Sequence, residues 1–245
     1  MRRRKRLRNS GFLLGGAAVV ILLVLATTGQ FSGGGPKKLS AAARLEAEQT
    51  AANKAAVAAG CPKSTTKRVN TLSWTSPPAM SITTAKTYSA TVKTTAGTFV
   101  IALDAKSAPT TVNNFVFLAD QNFYKCNTFH RVIPKFMDQT GDPTGTGSGG
   151  PGYTFANQNV PAAYATGDVA MANSGGTDSN GSQFFVVVPG GAATLDSDLT
   201  SGDKYTLFGT VTSGMPVVEK INAEGSTTGK PKVVQRVLSV KISTS

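Results

Sequence analysis

One histidine and two cysteines stand among 245 residues, and that scarcity removes classes of function. A single histidine, His130, with no Cys-x-x-Cys pair supplies neither a tetrahedral zinc site nor a thiol-redox motif. Charged residues make up only 16% of the chain, and none is acidic before Glu46. With 40% hydrophobic residues, that balance excludes a disordered polyelectrolyte. No internal repeat is present, which removes solenoids and propellers. What remains is one good-sized domain with additions, since a single core commonly serves about 100–200 residues. The 26 glycines and 12 prolines point to many turns between short strands, so the class expected is mainly β.

The net charge of +12 invites a nucleic-acid reading that its distribution removes. Arg2, Arg3, Arg4, Lys5, Arg6 and Arg8 hold six of the 25 basic residues, and the remaining 19 are scattered among 13 acidic ones. They form no basic stripe interleaved with aromatics, so no nucleic-acid partner is expected. The six bases instead precede Gly11–Thr28, an uncharged run that would be about 27 Å long as a helix. A cleaved signal has the same basic start but a shorter apolar region ending at a small-x-small site, of which Ala26-Thr27-Thr28 is a poor version. The expectation is an uncleaved signal anchor within residues 1–30, a transmembrane helix that crosses the cell membrane once. The bases hold the N-terminus in the cytoplasm, and the rest of the chain lies outside. A cleaved signal is the alternative.

Residues 31–87 read as a linker. Phe31–Lys38 is a Gly-rich spacer, and Leu39–Ala59 follows as an Ala-rich helix with Ser40 as N-cap, ended by Gly60-Cys61-Pro62. It carries too few large apolar residues to pack, and a solvated stalk is expected. Thr65–Ala85, with Trp74 and Pro77-Pro78, reads as an extended arm laid on the domain that occupies residues 88–245. Cys61 and Cys126, an even count in a chain that reads as exported, are expected to form a disulfide; two free thiols are the alternative.

From Tyr88 the texture changes to paired strands, YSATVKTT and TFVIALD, joined at Ala96-Gly97. Ala108–Leu118 reads as a helix with Pro109 near its start and Val112, Phe115, Val116 and Leu118 on one face. Strands are expected near 169–172, 183–188, 206–211 and 233–242, and a second helix near 215–221. Short strands with two covering helices predict a closed β-barrel.

Three motifs fail on inspection. Gly145-Thr146-Gly147-Ser148-Gly149-Gly150 fits GxGxxG but follows a proline turn and opens no helix, so it is a loop and not a dinucleotide site. His130 has no serine on a nucleophile elbow to serve, and is expected to be hydrogen-bonded beside the site. Asn180-Gly181-Ser182 is a formal glycosylation sequon better explained as a turn entering a strand.

The densest block runs from Phe129 to Val188. It holds, in order, Phe129-His130-Arg131-Val132-Ile133-Pro134, Phe136-Met137, Gln139, Gly141-Asp142, Met171-Ala172-Asn173 and Asn180-Gly181-Ser182-Gln183-Phe184-Phe185. From about Tyr88 to Ile242 the chain resembles the cyclophilins, peptidyl-prolyl cis/trans isomerases, and the resemblance implies that the closed barrel is eight-stranded and antiparallel, capped by the two helices. Their reaction, rotation about an X-Pro bond, faces a barrier of about 18–20 kcal/mol because amide resonance must be broken. It requires no metal, cofactor or nucleophile. It requires an apolar pocket for the ring, donors for the flanking carbonyls, and a cation beside the prolyl nitrogen as its lone pair localises.

The resemblance implies that Arg131 is that cation and that Phe136, Met137 and Phe185 line the pocket. Gln139, Asn173 and Gln183 would bind peptide backbone, with Ala172 as a neighbouring wall, His130 beside them and Leu199 on the far side. In Leu195–Gly209, LDSDLTSGDKYTLFG, Tyr205 stands where many members carry histidine, and the tryptophan usual before it is absent. In the family, cyclosporin binding leans on that tryptophan, so the resemblance does not extend to it. Asp138 puts an acid beside the arginine strand, and alternation predicts that it points out of the barrel.

The function implied is a monomeric, membrane-anchored isomerase acting on proline-containing peptides and unfolded exported proteins. A non-catalytic proline-peptide chaperone or scaffold of the same fold is the alternative, one that would need Arg131 less.

Overall fold

Tyr88, Ala90, Val92 and Thr94 are buried along β1 (Tyr88–Thr94), alternating with more exposed neighbours, as a strand covered on one face requires. Phe99, Ile101 and Leu103 repeat the pattern on β2 (Thr98–Leu103). Between them the Thr94 hydroxyl accepts the N–H groups of Ala96 and Gly97, both at 3.1 Å, which fixes the turn. The computed structural model describes residues 39–175, 178–201 and 204–245, and the side chains of 199–201 lie outside that description. The proposed anchor, Gly11–Thr28, is also outside it; among the described residues no helix is long and apolar enough to cross a membrane.

The remaining strands are β3 (Arg131–Ile133), β4 (Met137–Thr140), β5 (Asp168–Met171), β6 (Phe184–Val187), β7 (Leu207–Ser213) and β8 (Val237–Thr244). All eight join one antiparallel sheet in the order β3-β4-β6-β5-β7-β2-β1-β8. The closed barrel expected is instead a curled half-barrel, because end strands β3 and β8 share no ladder. The backbone of Val132 in β3 is taken by a loop, accepting from Ser226 N–H at 3.2 Å and donating to Gly229 O at 2.7 Å. Only the lead-in to β3 meets the lead-in and first residue of β8. Thr128 bridges Arg236, Phe129 N–H donates to Gln235 O at 3.0 Å, and Val237 N–H donates to Asn127 O at 2.9 Å.

Four helices are present among the described residues where three were expected: α1 (Ala41–Ala58), α2 (Pro109–Asp120), α3 (Ala192–Ser201) and α4 (Met215–Ala223). α1 is the Ala-rich helix expected in the linker, α2 and α4 are the two expected to cover the strands, and α3 is the addition. Phe115 of α2 sits within a ring cluster, 5.0 Å from Tyr124, 5.5 Å from Phe184 and 5.4 Å from Phe208 by ring centroids. Phe184 and Val186 of β6 point into this main core, and Phe185 and Val187 point to the opposite face.

The helix α1 is not a solvated stalk. Ser40 caps it as expected, accepting from Ala43 N–H at 3.2 Å, and residues 39–245 form one compact unit. Small residues allow it to dock closely. Ala56 is fully buried against Cys61, Cys126 and Leu238, and Gln49 accepts from Val234 N–H at 2.7 Å. The buried Arg236 donates to the carbonyls of Pro62 and Lys63 at 2.5 and 3.3 Å. A disulfide joins Cys61 to Cys126, with Cα atoms 5.4 Å apart. The arm that follows lies on the domain as expected, with Trp74 5.0 Å from Phe117 and Asn113 accepting from Ser81 N–H at 2.8 Å.

Candidate active site

The register of three short strands brings distant residues into one row. β3 pairs Arg131 with Gln139 of β4, and β4 pairs Gln139 with Phe185 of β6, which in turn opposes Ala170 of β5. Directly opposed residues share a face, so Arg131, Gln139, Phe185 and Ala170 lie side by side on the side away from the main core. Met137, two residues before Gln139, joins them.

An apolar cluster forms here from Met137, Ala170, Phe185, Val187, Tyr164 and Leu195, with Phe136, Ala172 and Tyr205 partly buried at its margin. The Tyr205 ring meets Phe185 edge-on, centroids 5.4 Å apart and planes at 88°. Tyr164 donates its hydroxyl to the backbone oxygen of Tyr205 at 2.6 Å and holds that segment in place.

A polar chain runs beside it. Arg131 Nη1 donates to Gln139 Oε1 at 3.2 Å, and Gln139 Nε2 donates to Gln183 Oε1 at 2.9 Å. Gln183 Nε2 then donates to Gly147 O and Gly149 O at 2.8 and 2.9 Å. Each amide gives and accepts in the same direction, so the chain fixes both glutamines and aims the guanidinium. The guanidinium carbon lies 5.9 Å from the centre of the Phe136 ring, while the Arg131 side chain remains exposed. A cation thus stands at the mouth of an apolar recess, next to amides that can meet peptide carbonyls and N–H groups.

The family now follows from sequence comparison. A family model described as cyclophilin type peptidyl-prolyl cis-trans isomerase/CLD matches residues 89–243. The chain belongs to the cyclophilins. Peptidyl-prolyl cis-trans isomerase-like 1 of Aspergillus fumigatus is 40% identical over 152 residues, 58% of this chain and 89% of that protein. A peptidyl-prolyl cis-trans isomerase of Helicobacter pylori is 41% identical over 141 residues, 56% of this chain and 82% of its own length. A crystal structure of a Cryptosporidium parvum cyclophilin type isomerase in the presence of the dipeptide Ala-Pro superposes with a TM-score of 0.56. It is 27% identical, and the match covers 63% of this chain and 98% of that one. The enzyme is a peptidyl-prolyl cis-trans isomerase.

Within this cyclophilin most of the site residues expected from the sequence come together. Arg131, Phe136, Met137, Gln139, Ala172, Gln183, Phe185 and Tyr205 gather on the one face described above. Asn173 borders it, with its side chain holding a loop: Nδ2 donates to Lys204 O at 2.6 Å, and Oδ1 accepts from Gly175 N–H at 3.2 Å. Leu199 lies on α3, its side chain outside the described residues. His130 flanks the Gly-rich loop at Gly147, its ring within reach of the Thr128 backbone and the Gln183 side chain but in no hydrogen bond of good geometry. Burial lowers its pKa from 6.5, and nearby Asp142 only partly offsets this.

Sequence reasoning missed Tyr164 and Leu195. Tyr164 is an isolated aromatic in a loop with no periodicity, and Leu195 sits on α3, whose start after Gly190-Gly191 reads as a turn. Asp138 faces away from Arg131, but not out of the barrel as expected: its register partners Val132 and Val186 belong to the main core, and it is fully buried on that face. The reason is α4, which covers that face: Asn222 donates to Asp138 Oδ1 at 2.7 Å. Beside the apolar recess, Gln139, Ala172, Asn173 and Gln183 also wall a cleft of about 1110 Å³ that extends over the Gly-rich loop.

Proposed function

We propose that this cyclophilin isomerises X-Pro bonds in exported proteins outside the cell membrane, with Arg131 as its catalytic residue. The observation that carries the catalytic reading is the guanidinium fixed by Gln139 beside the Phe136 ring. The proline ring sits against Phe136, Met137 and Phe185, which hold the ring while the acyl side of the bond turns. As the amide twists, resonance is lost and the nitrogen lone pair localises. Arg131 is permanently charged, so it stabilises that lone pair without a proton transfer. Gln139 and Gln183 engage the flanking peptide groups. The Ala-Pro dipeptide in the Cryptosporidium structure supports this substrate class.

The test is a coupled isomerisation assay on the full chain with a proline tetrapeptide. Arg131→Ala is expected to lower kcat/KM by about 10²-fold, near 2.7 kcal/mol of transition-state stabilisation, with a smaller change in peptide affinity. Equal activity in the variant would remove Arg131 from the role.

Location rests on the six N-terminal bases and the apolar run Gly11–Thr28. The full-length chain is expected in the membrane fraction, cut near residues 31–38 by protease added outside the cell. A soluble form beginning near Gly29 would show a cleaved signal instead.

A further inference from the structure

The arm preceding the family-matched region takes part in the cleft beside the proline site. Val69 N–H donates to Pro143 O and Trp74 N–H to Pro151 O, both at 2.8 Å, so residues 69–74 run along the Gly-rich loop. The approach is close enough that a Cβ on Gly152, at φ +93°, would collide with Ser73 Oγ and lie 2.6 Å from Trp74 O. Arg68 and Ser73 thereby line the same cleft as Gln139 and Gln183.

Arg68 is the only charged residue among the described residues that line it. Its Nε donates to Asn70 O at 2.5 Å and its Nη2 to Leu72 O at 3.4 Å, contacts within the arm that orient the guanidinium without neutralising it. No described carboxylate lies within salt-bridge distance of it. Asp142, under the Gly-rich loop, is 1% exposed. It accepts from Thr144 N–H and hydroxyl at 2.6 and 2.7 Å, and from the N–H groups of Thr146 and Gly147 at 3.0 and 2.6 Å, so its charge is satisfied beneath the loop. A cleft above the usual range of about 300–1,000 Å³ for small-ligand sites has room for several residues of a bound chain. It opens on the proline site through the two glutamines.

We propose that this cleft is a subsite for an acidic side chain of the substrate, selected by Arg68 of the arm. The inference rests on the assignment of the proline site to Phe136, Met137 and Phe185. A peptide whose proline occupies that recess passes Gln139 and Gln183 and brings a side chain a few residues away to Arg68, where a carboxylate gains a charge-assisted hydrogen bond. The arm therefore sets substrate preference.

The experiment uses the full chain and matched proline peptides carrying Asp, Asn or Lys at two, three or four positions from the proline on either side. The quantity read is the ratio of kcat/KM between Asp and Asn peptides within each variant. For the wild type, at least one position is expected to favour Asp by about threefold to tenfold at low salt, less at high salt. Arg68→Gln is expected to bring that ratio to one, and Arg68→Glu to move the preference to Lys. A wild-type ratio of one at every position, or a preference that survives Arg68→Gln, overturns the proposal. Binding of the same peptides, followed by NMR titration, gives the same ratio without turnover. Loss of isomerisation with a retained Asp preference in binding would count against the catalytic assignment alone.

Discussion

Replacing Asp138 by Asn is expected to make the protein more stable at neutral pH than at acid pH, relative to wild type. Asp138 is fully buried, one oxygen accepts from Asn222, and the other has no partner. No described cation forms a salt bridge with it. Burial pushes its pKa from 3.8 up to about 7, with the Asn222 hydrogen bond pulling the other way. A carboxyl with a raised folded-state pKa binds its proton more tightly when folded. Its contribution is intact below the unfolded value and is lost as pH rises from 3.8 toward about 7. A gap of about three pH units at 1.36 kcal/mol each gives a loss of about 4 kcal/mol, half of it between about pH 5 and 7.

The Asp138→Asn side chain keeps the oxygen that Asn222 meets and does not titrate, so any constant cost of the swap cancels in the slope. Urea unfolding of both proteins across about pH 5 to 8 should show the difference in favour of the variant growing by about 1.4 kcal/mol per pH unit up to the folded pKa. Isomerase activity is expected to change little, since Asp138 faces away from Met137 and Gln139. A stability difference that does not vary with pH would refute the reasoning, because it would mean that the carboxyl is ionised or hydrated throughout.

Reduction of Cys61–Cys126, which closes a loop of 65 residues in sequence separation, is expected to cost up to about 4 kcal/mol and to lower Tm. Trp74, the sole tryptophan, reports on the arm, and its emission at room temperature should remain that of the docked state because Asn113 and Phe117 still hold the segment. An undiminished Tm on reduction would deny the crosslink its role. Phe185→Ala, which empties a site that is 4% exposed, should destabilise the fold by about 3–5 kcal/mol and weaken peptide binding together. Calorimetry and peptide titration on one preparation separate the two, and loss of stability with unchanged affinity would place Phe185 outside the pocket.

The hairpin β1–β2, helices α2 and α4 and the strands carrying Arg131 and Phe185 were legible because each has a local signature: alternation, a proline at a helix start, or a dense motif. Helix α1 was legible as a helix and misread in its environment. Alanines give no apolar stripe, so nothing along residues 41–58 reveals that Ala56 meets the disulfide or that Gln49 and Asn53 face the lead-in to β8. Those contacts are made to groups 183–185 residues away in sequence. Barrel closure was overread for a related reason. Strand count and period are local, whereas whether β3 finds β8 or the loop at 226–229 depends on a three-residue strand whose edge either partner could satisfy.

Asp138 shows where period and depth part company. The same alternation that places Met137 and Gln139 at the site turns Asp138 to the other face, and that much follows from spacing. Whether the other face is wet depends on α4, which delivers Asn222 from 84 residues further along the chain. Once α4 is in place, the carboxyl has one donor and no countercharge, and its proton becomes part of the fold. Asp138 therefore lies outside the reaction chemistry while sitting one residue from two site side chains. Its protonation affects stability, and Arg131, held by Gln139 on the opposite face, keeps its orientation in either state.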